Sequence, residues 1–202
     1  MSAVRGKHAP VAGVLLAAGE GSRLGGPKAV VTVAGERLAD RGVRTLRDGG
    51  CEPVCVVSGA VGVTVAGAWI VDNPLWESGL GTSLRAGLDA LPEDVGAAVV
   101  ALADQPLVTA VAVRRLCDAH RAGASVAVAT YEGLPRNPVL LSREHWPEVR
   151  SLATGDVGAR PFLRANPHLV TPVPCDDAGS PEDVDTRDDL ERIRETLDAG
   201  SD

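Results

Sequence analysis

Val11-Ala12-Gly13-Val14-Leu15-Leu16-Ala17-Ala18-Gly19-Glu20-Gly21-Ser22-Arg23-Leu24-Gly25-Gly26-Pro27-Lys28 is the stretch on which the fold turns. A short apolar run, Val11–Leu16, feeds directly into a loop with four glycines, an arginine and a lysine. Glycine lets backbone N–H groups approach a ligand and admits positive φ angles. Consecutive N–H groups form a concavity for anions, and Arg23 and Lys28 add positive charge. The reading is a site for a phosphorylated ligand at the carboxyl end of a first β-strand. A glycine-rich surface turn with incidental charge is the plainer alternative, since 23 of the 202 residues are glycine. Against it, both cations fall in the one glycine cluster that follows a buried-type strand.

Two familiar phosphate loops do not fit. A Walker loop needs Gly-Lys-Ser/Thr after its spacer, but Pro27 separates Gly26 from Lys28 and Ala29 follows, so the hydroxyl that holds magnesium is missing. A dinucleotide fingerprint needs a third glycine where Leu24 stands. Pro27 and the glycine pair also oppose an immediate helix. The loop reads as extended and wrapped around its ligand.

Outward from the loop, short apolar runs alternate with amphipathic segments. Val11–Leu16, 53–57, Ala97–Leu102 and 125–130 are nearly continuous in Val and Ala, as parallel strands covered on both faces are. Segments 38–47, 80–91 and Ala110–Arg121 read as helices; Leu80, Leu84, Leu88 and Leu91 recur at helical spacing, and Thr109 is placed to cap the third. The alternation predicts an α/β sandwich with a mainly parallel sheet. After Tyr131 the pattern is irregular. Residues 134–138 read as a turn-rich stretch before Val139-Leu140-Leu141, followed by short helical pieces at 142–150 and 158–165 and a return strand at 168–173. Thr186 caps a closing helix at 188–197. Residues 1–8 and 198–202 read as frayed ends.

The length fits one domain, residues 1–202 with a core over 11–195. A net charge of −7 argues against nucleic acid or an anionic membrane as partner, but not against a single nucleotide in a locally positive loop. No apolar run approaches the ~20 residues of a membrane span. The polar first ten residues lack the apolar centre of a signal peptide, so a cytoplasmic address is expected. Cys51, Cys55, Cys117 and Cys175 have no metal-ligand spacing and read as buried reduced thiols.

Candidate chemistry lies at strand ends. Asp104 follows a strongly apolar strand, where open α/β sheets bind ligands, and a carboxylate there suits a hard cation such as magnesium. A turn-former or helix cap is the alternative. Asp183 and Asp185 flank Val184 and face one side of an extended segment; one could be a second ligand, although acidic runs are usually solvated. Gly79 and Gly81 would let backbone approach a nucleotide, with Asn73 and Ser83 as hydrogen-bonding partners.

The loop pattern L-A-A-G-x-G-x-R-x-G-G-P-K resembles the signature of the MobA/MocA-like NTP transferase family, above all the molybdenum cofactor cytidylyl- and guanylyltransferases. Further matching segments follow in order: Asn73-Pro74-Leu75-Trp76-Glu77-Ser78-Gly79 with Ser83-Leu84-Arg85-Ala86-Gly87-Leu88, Asp104-Gln105-Pro106, Gly155-Asp156-Val157-Gly158-Ala159-Arg160, and Asp183-Val184-Asp185-Thr186. The resemblance spans about residues 11–195. It implies a three-layer sandwich on a Rossmann-like sheet of the nucleotide-diphospho-sugar transferase type. It implies transfer of an NMP from an NTP, CTP by preference, to a phosphorylated acceptor, molybdopterin, with pyrophosphate released.

By that resemblance the nucleotide contacts Leu16, Ala17, Ala18, Gly19, Glu20, Gly21, Arg23, Lys28, Asn73, Gly79, Ser83 and Ala103. Arg23, Lys28 and Asp104 are the catalytic set, Asp104 and Asp185 hold Mg2+, and Asn137, Asp156 and Arg160 face the acceptor. One departure stands out: Arg136-Asn137-Pro138 replaces the usual Gly-His-Pro, and Asn137 cannot titrate near neutrality. A molybdenum enzyme is the expected protein partner. Some relatives are labelled nicotine blue oxidoreductase, so an NAD(P)H-dependent reductase is one alternative; a non-catalytic nucleotide-binding chaperone is another.

Overall fold

The computed structural model describes residues 9–199. Its first strand, β1 (Val11–Leu16), is an inner strand of the main sheet, and every one of its residues is buried. Its side chains alternate: Leu15 packs with one helical layer, while Ala12, Val14 and Leu16 pack with the other. The glycine loop follows, and then a small hairpin, β2 (Thr32–Val33) and β3 (Glu36–Arg37). Two-residue strands are too short to show a period, so sequence patterning missed this hairpin.

Helix α1 (Leu38–Asp48) leads into β4 (Val54–Ser58) and β5 (Trp69–Asp72). Strand β5 was not foreseen; it is a four-residue, half-buried edge strand without a clean alternation. Helix α2 (Leu80–Asp89) stops short of the expected residue 91, because Pro92 disfavours helical backbone in the residue before it. Strand β6 (Ala97–Leu102), helix α3 (Ala110–Arg121) and strand β7 (Val126–Tyr131) follow the expected order. Thr109 occupies the N-cap position of α3, but its hydroxyl donates to the Ala178 carbonyl (2.8 Å) instead of capping the helix.

The stretch read as turn-rich is in fact the start of β8 (Leu134–Ser142). Val139 pairs with Val128, but Arg136 pairs with Ala129, so Asn137 and Pro138 are surplus residues in the ladder. Such a bulge bends the strand and re-aims its side chains. Short helices α4 (Trp146–Leu152) and α5 (Arg160–Ala165), strand β9 (Val170–Pro174) and helix α6 (Arg187–Ala199) complete the chain. Thr186 caps α6 as expected: its Oγ1 accepts the Asp189 N–H (3.2 Å), and its own N–H donates to Asp189 Oδ2 (2.9 Å). Asp198 and Ala199 continue this helix and are not frayed; residues 1–8 and 200–202 lie outside the described residues.

The main sheet has the order β5-β4-β1-β6-β8-β7-β9 and is parallel except where β8 pairs with β6 and β7. Helices α1 and α3 cover one face, and α2, α4 and α5 the other, giving the three layers. A smaller cluster under α6 joins Leu24, Leu107, Val184 and Ile193, and so fastens the glycine loop to the 183–185 segment. All four cysteines are buried free thiols. Among the described residues no helix is long and apolar enough to cross a membrane.

Candidate active site

The chain leaves β1 for β4 on one side and returns to β6 on the other. This makes the β1/β6 boundary the switch point where the two connecting loops part and open a crevice. A cleft of about 710 Å³ lies there, beyond the carboxyl ends of both strands. The Ala103 N–H donates to the Leu16 carbonyl (3.0 Å), extending the strand pairing to the cleft floor.

Within the loop, the Leu24 N–H donates to the Gly21 carbonyl (2.9 Å) and the Lys28 N–H to the Gly19 carbonyl (3.3 Å). The N–H groups from Ala18 to Arg23 donate to no atom among the described residues. Gly21 is needed for the turn: its φ is +61°, and a Cβ there would stand 2.1 Å from the Gly26 carbonyl oxygen. Arg23 lines the cleft and makes no hydrogen bond or ion pair among the described residues.

Lys28 lies at the centre. Its Nζ is 2.6 Å from Asp104 Oδ2 and 2.6 Å from Asp185 Oδ1. Burial pulls its pKa down, but the two carboxylates outweigh that and hold it above the usual lysine value. Asp104 also anchors the acidic segment through its backbone, since its carbonyl accepts the Val184 N–H (2.8 Å). Asp183 turns differently, and its Oδ1 accepts a hydrogen bond from Gln105 Nε2 (3.0 Å). Lost solvation and then the charge of Asp104 push the Asp183 carboxyl above its usual range.

Two carboxylates meeting around one ammonium set hard oxygen donors side by side. Among the described residues no three Asp, Glu, His or Cys side chains group to hold a metal ion. Magnesium needs no such cage, because it uses one or two carboxylates and fills its octahedron with water and phosphate oxygens. The donor set therefore fits, with Lys28 as the cation that balances the pair when no metal is bound.

The cleft gathers most of the residues expected at a nucleotide, Leu16, Ala17, Ala18, Gly19, Gly21, Arg23, Lys28, Gly79, Ser83 and Ala103, together with the expected metal ligands Asp104 and Asp185. Two do not reach it. Glu20 lines instead an adjoining cavity of about 820 Å³, which shares Ser22, Trp76 and Glu77 with the cleft. Asn73 is buried and fully used: its Nδ2 donates to the Thr82 and Ser83 hydroxyls (2.9 and 3.0 Å), and its Oδ1 accepts the Leu75 N–H (3.0 Å). It fixes the start of α2 and so positions Ser83. Gly79 and Gly81 also have a packing reason to be small. A Cβ on Gly79 (φ +101°) would meet the Gly155 backbone at 2.4 Å, and one on Gly81 the Ala153 backbone at 2.7 Å. Their smallness admits the 153–156 segment against α2.

The expected acceptor residues split. Asp156 lines the first cleft, its Oδ1 accepting the Leu80 N–H (3.4 Å). Asn137 and Arg160 line a second cavity of about 890 Å³, which shares Leu102 and Asp183 with the first. Gln105, Arg136 and Arg164 also line it, and of these Gln105 and Arg164 were not singled out. The i,i+4 spacing of Arg160 and Arg164 was the signal available, since it puts both on one helix face.

A family model for the MobA-like NTP transferase domain matches residues 13–170. The nicotine blue oxidoreductase of Paenarthrobacter nicotinovorans is 40% identical over 197 residues, covering 91% of this chain and 96% of that protein. A "Probable molybdenum cofactor guanylyltransferase" of Opitutus terrae is 51% identical over 47 residues, 23% of each chain. The manganese complex of Rv0371C from Mycobacterium tuberculosis H37Rv superposes with a TM-score of 0.73 at 26% identity, covering 93% of this chain and 99% of that one.

Proposed function

The chain belongs to the MobA-like NTP transferase family, and within it we propose a magnesium-dependent nucleotidyltransferase acting as one domain. Its donor is an NTP, CTP by preference, and its acceptor a phosphorylated small molecule, molybdopterin. It would work in the cytoplasm for a molybdenum enzyme. The observation that carries the reading is the run of unpartnered N–H groups from Ala18 to Arg23 beside Lys28, Asp104 and Asp185. Backbone donors without partners suit phosphate oxygens, and carboxylates at the same point suit the cation that accompanies them.

The terminal phosphate oxygen of the acceptor attacks the α-phosphorus of the NTP, a P–O bond forms, and pyrophosphate leaves in line. Such a displacement needs no covalent enzyme intermediate; positioning and charge stabilisation carry it. The loop N–H groups and Arg23 hold the β- and γ-phosphates. Lys28, released from the carboxylates, neutralises charge at the α-phosphate. Ser83, whose hydroxyl accepts from Asn73 and retains its own proton, faces the nucleoside. A divalent ion on Asp104 and Asp185 would supply further charge neutralisation.

Thermal-shift measurements with CTP, GTP, ATP and NADPH, with and without magnesium, test this, since a ligand stabilises only as its affinity for the folded state allows. The expected result is a magnesium-dependent rise with CTP that Asp104→Asn abolishes. The 40% identity to a protein named as an oxidoreductase keeps an NAD(P)H-dependent reduction as the second reading. A shift with NADPH alone, and NADPH consumption without pyrophosphate release, would replace the first reading with that one.

A further inference from the structure

Lys28, Asp104 and Asp185 reach one point from three places: the turn after the glycine loop, the end of β6 and the segment ahead of α6. Lys28 Nζ stands 2.6 Å from an oxygen of each carboxylate, and the Lys28 and Asp104 side chains are only 18% and 22% exposed. Solvent therefore screens this pair less than one at the surface. Both acidic residues are tied by their backbone. The Asp104 carbonyl accepts the Val184 N–H (2.8 Å), and the Asp185 N–H donates to Asp189 Oδ2 (3.2 Å). The lysine is the movable partner, a point charge on a flexible four-carbon stem.

That stem runs beside the phosphate loop. Lys28 Cδ lies 3.8 Å from where a Cβ on Gly19 would stand, and the Lys28 N–H is held by the Gly19 carbonyl (3.3 Å). Rotation about its side-chain bonds alone moves Nζ off the carboxylates and along the loop, with the backbone in place. An ammonium and a divalent cation cannot share the same two oxygens. Magnesium takes carboxylate oxygens at about 2.0–2.1 Å, inside the space that Nζ fills. On the other oxygen of each carboxylate it would still face a like charge nearby.

We propose that Lys28 is an internal counter-ion that competes with the divalent cation for Asp104 and Asp185. The free protein then takes a cation only weakly. An NTP draws Nζ onto its phosphate oxygens, and that exchange opens the two carboxylates to the cation that accompanies the nucleotide. Cation and nucleotide are thereby coupled through one side chain. An ion pair that only fastened the 183–185 segment to the loop would make no such trade. The inference rests on the nucleotidyltransferase reading for the identity of the anion, but not for the competition itself.

The test is titration of the full chain with Mn2+ in the absence of nucleotide, the free ion being read from its electron paramagnetic resonance signal. Lys28→Met should bind Mn2+ about tenfold tighter than wild type, and Lys28→Gln likewise. Lys28→Arg, which keeps the charge, should stay close to wild type. Adding Asp104→Asn to Lys28→Met should remove the gain. Melting temperature gives a second readout. In chelator Lys28→Met should melt below wild type, and the same Mn2+ concentration should raise it by more than it raises wild type. A neutral variant that binds Mn2+ no more tightly than wild type overturns the proposal. So does a gain that survives Asp104→Asn, or one that Lys28→Arg shows in full. Should Lys28→Met fail to fold, Lys28→Gln decides. Wild-type protein that ignores CTP, GTP and ATP with magnesium while the Mn2+ pattern holds would sink the nucleotidyltransferase reading and leave the competition standing.

Discussion

The two cavities meet at Asp183 and Leu102, yet they are built from different materials. The first is backbone: a run of N–H groups from consecutive loop residues, with one lysine held between two carboxylates. The second is side chains: three arginines, Asn137 and Gln105, drawn from β8, α5 and the end of β6. The contrast follows from what each would bind. A triphosphate is common to every NTP, and the geometry of one loop can serve it. An acceptor is particular, and only side chains placed around it can discriminate.

The largest effect should come from Lys28→Ala, which removes the cation between Asp104 and Asp185. Pyrophosphate release should fall about a hundredfold, roughly 3 kcal/mol of transition-state stabilisation. Full turnover with magnesium-CTP would break the assignment of the first cleft. Next is Gly21→Ala. Its φ of +61° and the Gly26 carbonyl 2.1 Å from the new Cβ force the loop to reshape. With a left-handed penalty of about 1–2 kcal/mol, titration should show NTP affinity down about tenfold and acceptor affinity unchanged. A loss on both sides would erase the distinction between the cavities.

Asn137→His restores the residue usual in the resembling enzymes and should act on the other side alone. The Michaelis constant for the acceptor should acquire a pH dependence near 6.5, the ordinary histidine value, while that for CTP stays flat. Equal pH dependence in both constants would contradict the separation. Smallest is Asp183→Asn, at the junction. The folded protein holds this carboxyl above 3.8, so ionising it opposes folding, and that loss sets in as pH rises through the raised value. The amide should therefore raise the melting temperature by ~1–2 °C at pH 7 in chelator, with the gain vanishing below about pH 4. A gain that persists at pH 3 would mean that charge is not its cause.

How far each cavity could be read beforehand follows the same division. Leu16 to Lys28 is contiguous, so its glycines, its cations and the strand ahead of it declare the first cleft without knowledge of the fold. Asp104 was legible because an apolar strand ends beside it. Asn73 misled because a buried amide and a ligand-binding amide look alike in sequence; only its bonds to Thr82, Ser83 and Leu75 separate them. Gly79 and Gly81 were legible only as small residues, and the backbone of 153–156 packed against them could not be read from sequence, since smallness serves a neighbouring backbone as well as a nucleotide. Residues 134–138 carry two prolines, which in most contexts mark a turn, and nothing local announces a bulged strand.

The sequence by itself determined the alternation of strand and helix, the buried character of Val11–Leu16, and the loop beyond it, because hydrophobic period and glycine chemistry are local properties. Tertiary structure alone decided that Lys28 would stand between Asp104 and Asp185, 76 and 157 residues away. It alone turned Gln105 toward Asp183 and left its oxygen without a donor. Those relations depend on which strands lie side by side at the switch point, and long-range pairing is a property of the packed sheet rather than of any segment within it.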